Sequence, residues 1–304
     1  MKNHISRREF INRSIAVGIG AVSTSIYLPS TSFGKIFDTA IDISVIDGTE
    51  YFNNTIKAVE LLGGIDKFVP KGSVVGIIAN SPWERPGTYT NPDITLSVLK
   101  MCIDAGAKEI YSIENAQPKY WKRSNLFEKF EKEIDQLKSI SDKSTIKIDK
   151  GKAAKQVDIS KTLLDCDVLI NIPIAKNHRG TNFTGNLKNL MGATSRSTNR
   201  FFHSGGDGGD ADEFLSQCIA DVNLIRRPNL CIVDATEFVT TNGPAGPGKI
   251  SKAQKIVAGT NCVSVDAYSS TLLGLNPADV LMIKFAHEHG IGEIDLKKLN
   301  IKEI

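Results

Sequence analysis

The stretch Asp167-Val168-Leu169-Ile170-Asn171-Ile172-Pro173-Ile174-Ala175-Lys176-Asn177-His178 decides the fold. Its first half is continuously apolar rather than alternating, the pattern of a strand covered on both faces. Residues 73–79, 109–113, 230–233 and 255–258 read the same way. Helical patterns lie between them. Residues 91–105 carry Ile94, Leu96, Val98, Leu99 and Ile103 at helical spacing, and Gly106 closes the run. Residues 210–226, 263–273 and 277–289 are further helices, ended by Pro228, Gly274 and Gly290. Strands alternating with helices predict an α/β fold with a mainly parallel, doubly wound (Rossmann-like) sheet and helices on both faces. Residues 77–113 form one β-α-β unit, and the lysine-rich 119–160 read as an insertion or an edge. Residues 194–212, with Gly205, Gly206, Gly208 and Gly209, are expected to be a loop that serves as a lid.

The chain has 304 residues, 41% hydrophobic and 23% charged, an ordinary balance for a soluble globular protein. Its net charge of +3 comes from Lys2, Arg7, Arg8 and Arg13 set against Glu9, so residues 35–304 are neutral. A neutral domain offers no broad field for nucleic acid. The five cysteines include no C-x-x-C pair, which argues against a zinc knuckle or a ferredoxin-type iron–sulfur cluster. They read as buried thiols, with one disulfide left open.

Ser6-Arg7-Arg8-Glu9-Phe10-Ile11 matches a twin-arginine export signal, followed by a mildly apolar stretch over 14–28. That stretch is too short for a stable transmembrane span. Residues 1–34 are therefore expected to be a signal, and 35–304 a single α/β domain exported folded by the twin-arginine translocase to the periplasm or another extracytoplasmic space. Ser32-Phe33-Gly34 suits cleavage near Lys35; an uncleaved leader would anchor the protein to the membrane.

Chemistry-bearing residues collect after the apolar runs, where open parallel sheets bind ligands. Lys176 and His178 follow one strand; a lysine holds an anion or acts as a base, and a histidine binds metal or moves protons. Thr184-Gly185-Asn186-Leu187-Lys188-Asn189-Leu190-Met191-Gly192 reads as a short helix, Thr184 capping it and Gly192 ending it, with Lys188 and Asn189 off the apolar stripe. Asp234 ends another strand, ahead of a Gly/Pro loop in which Asn242 and Gly243 can bring the backbone close to a ligand. Asp266 lies early in a helix. No phosphate loop, H-E-x-x-H, G-x-S-x-G or GxGxxG motif is present.

In combination, NIPIAKNH (171–178), LKNLMG (187–192), VDAT and NGPAGPG within 233–248, AGTNCVSVDA (258–267), LLGLNP (272–277) and HGIGEID (289–295) resemble the family called domain of unknown function 362. The resemblance runs from about Val74 to Asp295. It implies an α/β fold and, in several members, twin-arginine export. It also implies redox or metal chemistry in members with cluster domains, from which this chain departs by lacking cluster cysteines. A fainter similarity, through Asp104-Ala105-Gly106-Ala107, links such chains to the N-terminal domain of nickel-pincer lactate racemases.

The leading expectation is an exported enzyme, dependent on a cofactor or metal of unknown identity, acting on a small anionic molecule. Lys176, His178 and Asp234 are the catalytic candidates. Lys188, Asn189, Asn242, Gly243 and Arg196 are the substrate-binding candidates, with Arg200 and His203 also on the lid. His178, Asp234 and Asp266 are the metal candidates. The alternative is a non-catalytic ligand-binding, metal-binding or maturation protein using the same pocket.

Overall fold

The apolar runs become the centre of one sheet. A computed structural model describes residues 40–140, 142–205 and 211–304, all within one compact unit spanning Thr39–Ile304. The leader expected over 1–34 lies outside the described residues. The strands are β1 (Ile43–Asp47), β2 (Val74–Ala79), β3 (Glu109–Ser112), β4 (Leu137–Ser139), β5 (Lys143–Lys147), β6 (Gln156–Ser160), β7 (Val168–Ile172), β8 (Lys176–His178), β9 (Asn182–Thr184), β10 (Leu230–Ala235), β11 (Phe238–Val239), β12 (Ile250–Ser251), β13 (Lys255–Gly259) and β14 (Ile301–Glu303). Eight of them form the main sheet in the order β14-β1-β13-β10-β7-β2-β3-β4. β13 is antiparallel to both neighbours, and every other pair in this sheet is parallel.

The continuous apolar runs are explained by cover on both faces. Val168, Ile170 and Ile172 of β7, with Leu230 and Ile232 of β10, pack on one side against Ile94, Val98 and Leu99 of the helix Pro92–Asp104. The side chains of Leu169, Cys231 and Val233 point the other way. There they join Leu215 and Ile219 of the helix Ala211–Val222, Val263 of Cys262–Thr271 and Ile283 of Leu281–Glu288. Asn91 caps the helix Pro92–Asp104 by accepting the Asp93 N–H at 2.9 Å, and Gly106 (φ +79°) supplies the left-handed residue that lets the chain leave it.

Two expectations need correction, the loop over 194–212 and the single helix over 277–289. Within 194–212, residues Arg196–His203 are a helix, capped by Ser195, while 206–210 lie outside the described residues. The run 277–289 is broken: a 3-10 turn over Pro277–Asp279, then extended backbone at Val280, then the helix Leu281–Glu288. The segment 119–160 supplies the edge strand β4 and a separate β5–β6 hairpin. All five cysteines are buried free thiols. Among the described residues no helix is long and apolar enough to cross a membrane.

Candidate functional site

Three adjacent parallel strands, β7, β2 and β3, end on the same side of the sheet, and the chain beyond each end carries polar residues. β2 runs into Asn80, β3 into Glu114, and β7 into the β8–β9 hairpin. In that hairpin Lys176 pairs with Thr184 and His178 with Asn182. Residues two apart on a strand share a face, so Lys176 and His178 lie on one side. Both line a cavity of about 660 Å³ with Asn80, Trp83, Glu114, Thr184, Lys188, Asn189, Arg196, Arg200, His203 and Pro244.

Lys176 is wholly buried. Its Nζ donates to Asn80 Oδ1 at 3.1 Å and to the Thr88 carbonyl, and it sits 5.5 Å from the centre of the Trp83 ring. Neither Lys176 nor Lys188 has an ion pair among the described residues. Burial pulls the Lys176 ammonium down to about 7; Lys188 adds to that and Glu114 opposes it. Burial likewise lowers Lys188 to about 8; among the described residues its Nζ reaches only the Met191 sulfur, at 3.7 Å. Glu114, at the same wall, is pushed up to about 8 by burial, against the Ser81 N–H and Lys176. Arg196 and Arg200 are exposed and make no ion pair or hydrogen bond through their side chains among the described residues. Among the described residues the cavity's lining thus holds two lysines and two arginines against one carboxyl.

His178 is held neutral: burial, then Lys188, His203 and Lys176, drives it down to about 2. Its Nδ1 accepts the Gly180 N–H at 3.1 Å, which leaves the ring proton on Nε2. At neutral pH the ring is a hydrogen-bond donor rather than a cation or a base. Thr184 Oγ1, on a buried residue at the same wall, has no hydrogen-bond partner among the described residues.

An amide chain supports Lys176 from behind. Asn80 Nδ2 donates to Asn189 Oδ1 at 3.0 Å, and Asn189 Nδ2 donates to Asn171 Oδ1 at 2.8 Å and to the Ile78 carbonyl at 3.2 Å. Asn171 Nδ2 then donates to the Asn186 carbonyl at 2.8 Å. Asn186 N–H and Leu187 N–H donate to the two oxygens of Asp266, at 2.7 and 2.9 Å.

Asp266 is therefore not a cavity residue. It caps the short helix Asn186–Asn189 from a different part of the chain, and Gly185 is the N-cap residue in place of Thr184. Gly192 lies within the 3-10 turn Leu190–Ala193 rather than ending it. Asp234 is also spent structurally. Its carboxylate accepts from Asn91 N–H (2.6 Å), Thr236 N–H (2.9 Å) and Thr236 Oγ1 (2.7 Å), tying the start of the helix Pro92–Asp104 to the end of β10. Burial still raises it to about 6. Asn242 donates within its own loop, to the Pro247 carbonyl at 3.2 Å. Gly243 packs on Asn177: its N–H donates to Asn177 Oδ1 at 3.0 Å, and a Cβ there would meet the Asn177 carbonyl oxygen at 1.7 Å. Pro244 is the residue of this loop that lines the cavity.

The donor set does not fit a metal. Among the described residues no three His, Cys, Asp or Glu side chains come together to hold one. Of the metal candidates, Asp234 and Asp266 have both oxygens occupied by N–H or O–H donors, and His178 keeps its Nε2 protonated. His289, also outside the cavity, pairs with Asp221 at 2.7 Å. The sequence reading brings Lys176, His178, Lys188, Asn189, Arg196, Arg200 and His203 to one cavity. It misses Asn80, Trp83, Glu114 and Thr184.

A protein-family model described as Domain of unknown function (DUF362) matches residues 75–271, more than half of the chain. The thylakoid-associated protein sll1697 of Synechocystis is 26% identical over 230 residues, which cover 73% of this chain and 69% of that protein. Among solved structures, the lactate racemase apoprotein of Thermoanaerobacterium thermosaccharolyticum matches with a TM-score of 0.46 and 13% identity, over 82% of this chain and 57% of that one. A Thermotoga maritima protein matches with a TM-score of 0.37 and 12% identity, over 78% of this chain and 58% of that one. The chain thus spans less than two thirds of either solved structure.

Proposed function

The chain belongs to the DUF362 family, and from that premise we propose that its strand-end cavity binds a small anionic molecule and exchanges a proton with it. One observation carries the reading. Lys176 is fully buried at the cavity wall with no carboxylate partner among the described residues, and Lys188, Arg196 and Arg200 join it there. Uncompensated buried charge is costly, and an anionic ligand would repay that cost. Lys176 and Glu114 are the proton-exchange pair: their values of about 7 and about 8 suit transfer near neutral pH. His178 Nε2–H and Lys188 orient the anion.

Calorimetric titration with small carboxylates such as glycolate, on the wild type and on Lys176→Met, tests the binding. Saturable binding to the wild type, weakened at least about tenfold in the variant, supports it. Equal binding by both proteins removes it. Exchange of ligand C–H for deuterium in heavy water then separates an enzyme from a carrier: a ligand recovered unlabelled would favour a binding protein.

We also propose that the domain acts outside the cytoplasm. The support is the Ser6-Arg7-Arg8-Glu9-Phe10-Ile11 motif and the mildly apolar stretch that follows it.

A further inference from the structure

We infer that the helix Arg196–His203 forms a second, phosphate-selective subsite of the cavity, so that the ligand is a small phosphorylated acid. Its carboxylate would lie at the lysine end and its phosphate at the arginine end. This rests on the anion-binding reading above and adds the ligand class.

On this helix Arg196, Asn199, Arg200 and His203 recur at i, i+3, i+4 and i+7, and all four line the cavity. The opposite side carries the buried Thr198 and Phe202, which fix how the helix faces. Neither arginine is matched by an acid among the described residues, so two guanidinium forks stand one turn apart without a described partner. A carboxylate has two oxygens, and a single fork engages both of them. Two neighbouring forks suit a tetrahedral group with three outer oxygens.

The other wall differs in chemistry. It carries the compact ammonium groups of Lys176 and Lys188 and the buried Thr184 hydroxyl, which has no partner among the described residues, a set that suits a carboxylate and an adjacent oxygen. His178 on one wall and His203 on the other have ring centroids 6.4 Å apart. The volume of about 660 Å³ admits a molecule with a charged group at each wall.

The test uses glycolate, malonate and 2-phosphoglycolate as probes, titrated calorimetrically into the full-length protein. The wild type is expected to bind phosphoglycolate at least about tenfold more tightly than glycolate or malonate. Arg196→Gln/Arg200→Gln is expected to abolish that gain, weakening phosphoglycolate binding at least about tenfold more than glycolate binding. Lys176→Met is expected to weaken both. Thermal unfolding checks that each variant folds, and Arg200→Gln alone replaces the double variant if that one does not. A wild-type phosphoglycolate-to-glycolate ratio in the arginine variant overturns the subsite, as does an equal loss of both probes or an equal gain from malonate. An arginine effect without a Lys176 effect overturns the lysine-end reading while leaving the subsite standing. If no probe binds the wild type, both readings fall.

Discussion

Lys176 and Asp266 stand at the two ends of one unbroken run of hydrogen bonds. It passes through the side-chain amides of Asn80, Asn189 and Asn171 and the peptide joining Asn186 to Leu187, each donating toward the next. An ammonium only donates and a carboxylate only accepts, so the end groups fix the orientation of every amide between them. Bonds aligned in one direction reinforce one another, and each is costly to leave unmade inside the protein. The run joins the ends of β2 and β7 to the helices Asn186–Asn189 and Cys262–Thr271, which holds the Lys176 Nζ in place before any ligand arrives.

Asn189 is the hub of that run, with bonds to Asn80, Asn171 and the Ile78 carbonyl. Asn189→Ala leaves buried polar groups unpaired and is expected to cost about 2–4 kcal/mol of stability. It should also weaken anion binding, because Asn80 loses its fixed orientation. Chemical denaturation and calorimetry check the two effects. A variant as stable as the wild type would show that the run contributes little.

Asp266→Ala removes the acceptor for the Asn186 and Leu187 N–H groups and is expected to unfold the 186–193 segment or cost about 3 kcal/mol or more. Gly185→Ala should act alike by another route. A Cβ at Gly185 would meet Asp266 Oδ1 at 2.4 Å and the Phe183 ring at 2.5 Å. Thermal melts of both variants, alone and combined, test this. Additive losses would contradict a shared cause.

Anion affinity is expected to fall as pH rises. Lys176 at about 7 and Lys188 at about 8 lie below the ordinary lysine value, so both are charged at lower pH and lose their charge through that window. Glu114, raised to about 8, is neutral below it and becomes an anion above it. The three changes share a sign. Titrations between about pH 6 and pH 9 should show affinity dropping by at least about tenfold, centred near neutrality rather than near the ordinary lysine value. A flat profile over that interval would contradict these assignments.

Arg7→Lys/Arg8→Lys is expected to hold the protein in the cytoplasm while leaving the folded domain unchanged, because the described strands all lie within Ile43–Glu303. Cell fractionation measures it. Undiminished export of the variant would remove the twin-arginine assignment.

The strands and the lysine end of the cavity were legible because both obey simple rules. Buried parallel strands are apolar without interruption, and ligand-facing groups follow their ends. The reversed direction of β13 was not legible, since an apolar run carries no sign of its direction. The same strand-end rule that found Lys176 also picked out Asp234, which serves equally well as a buried acceptor for the Asn91 and Thr236 N–H groups. Residue type alone does not separate those two uses. Glu114 and Asn80 were missed although each lies just past a strand, since neither stands in a conspicuous motif. The bonds from Asn186 and Leu187 to Asp266 span about 80 residues of sequence, a pairing that only the fold reveals.

The most direct test of the central claim is calorimetric titration of glycolate into the full-length protein at pH 6.5, with Lys176→Met beside it. The account predicts one saturable site per chain in the wild type and affinity at least about tenfold weaker in the variant. Absence of binding to the wild type, or equal affinity in both proteins, would contradict it.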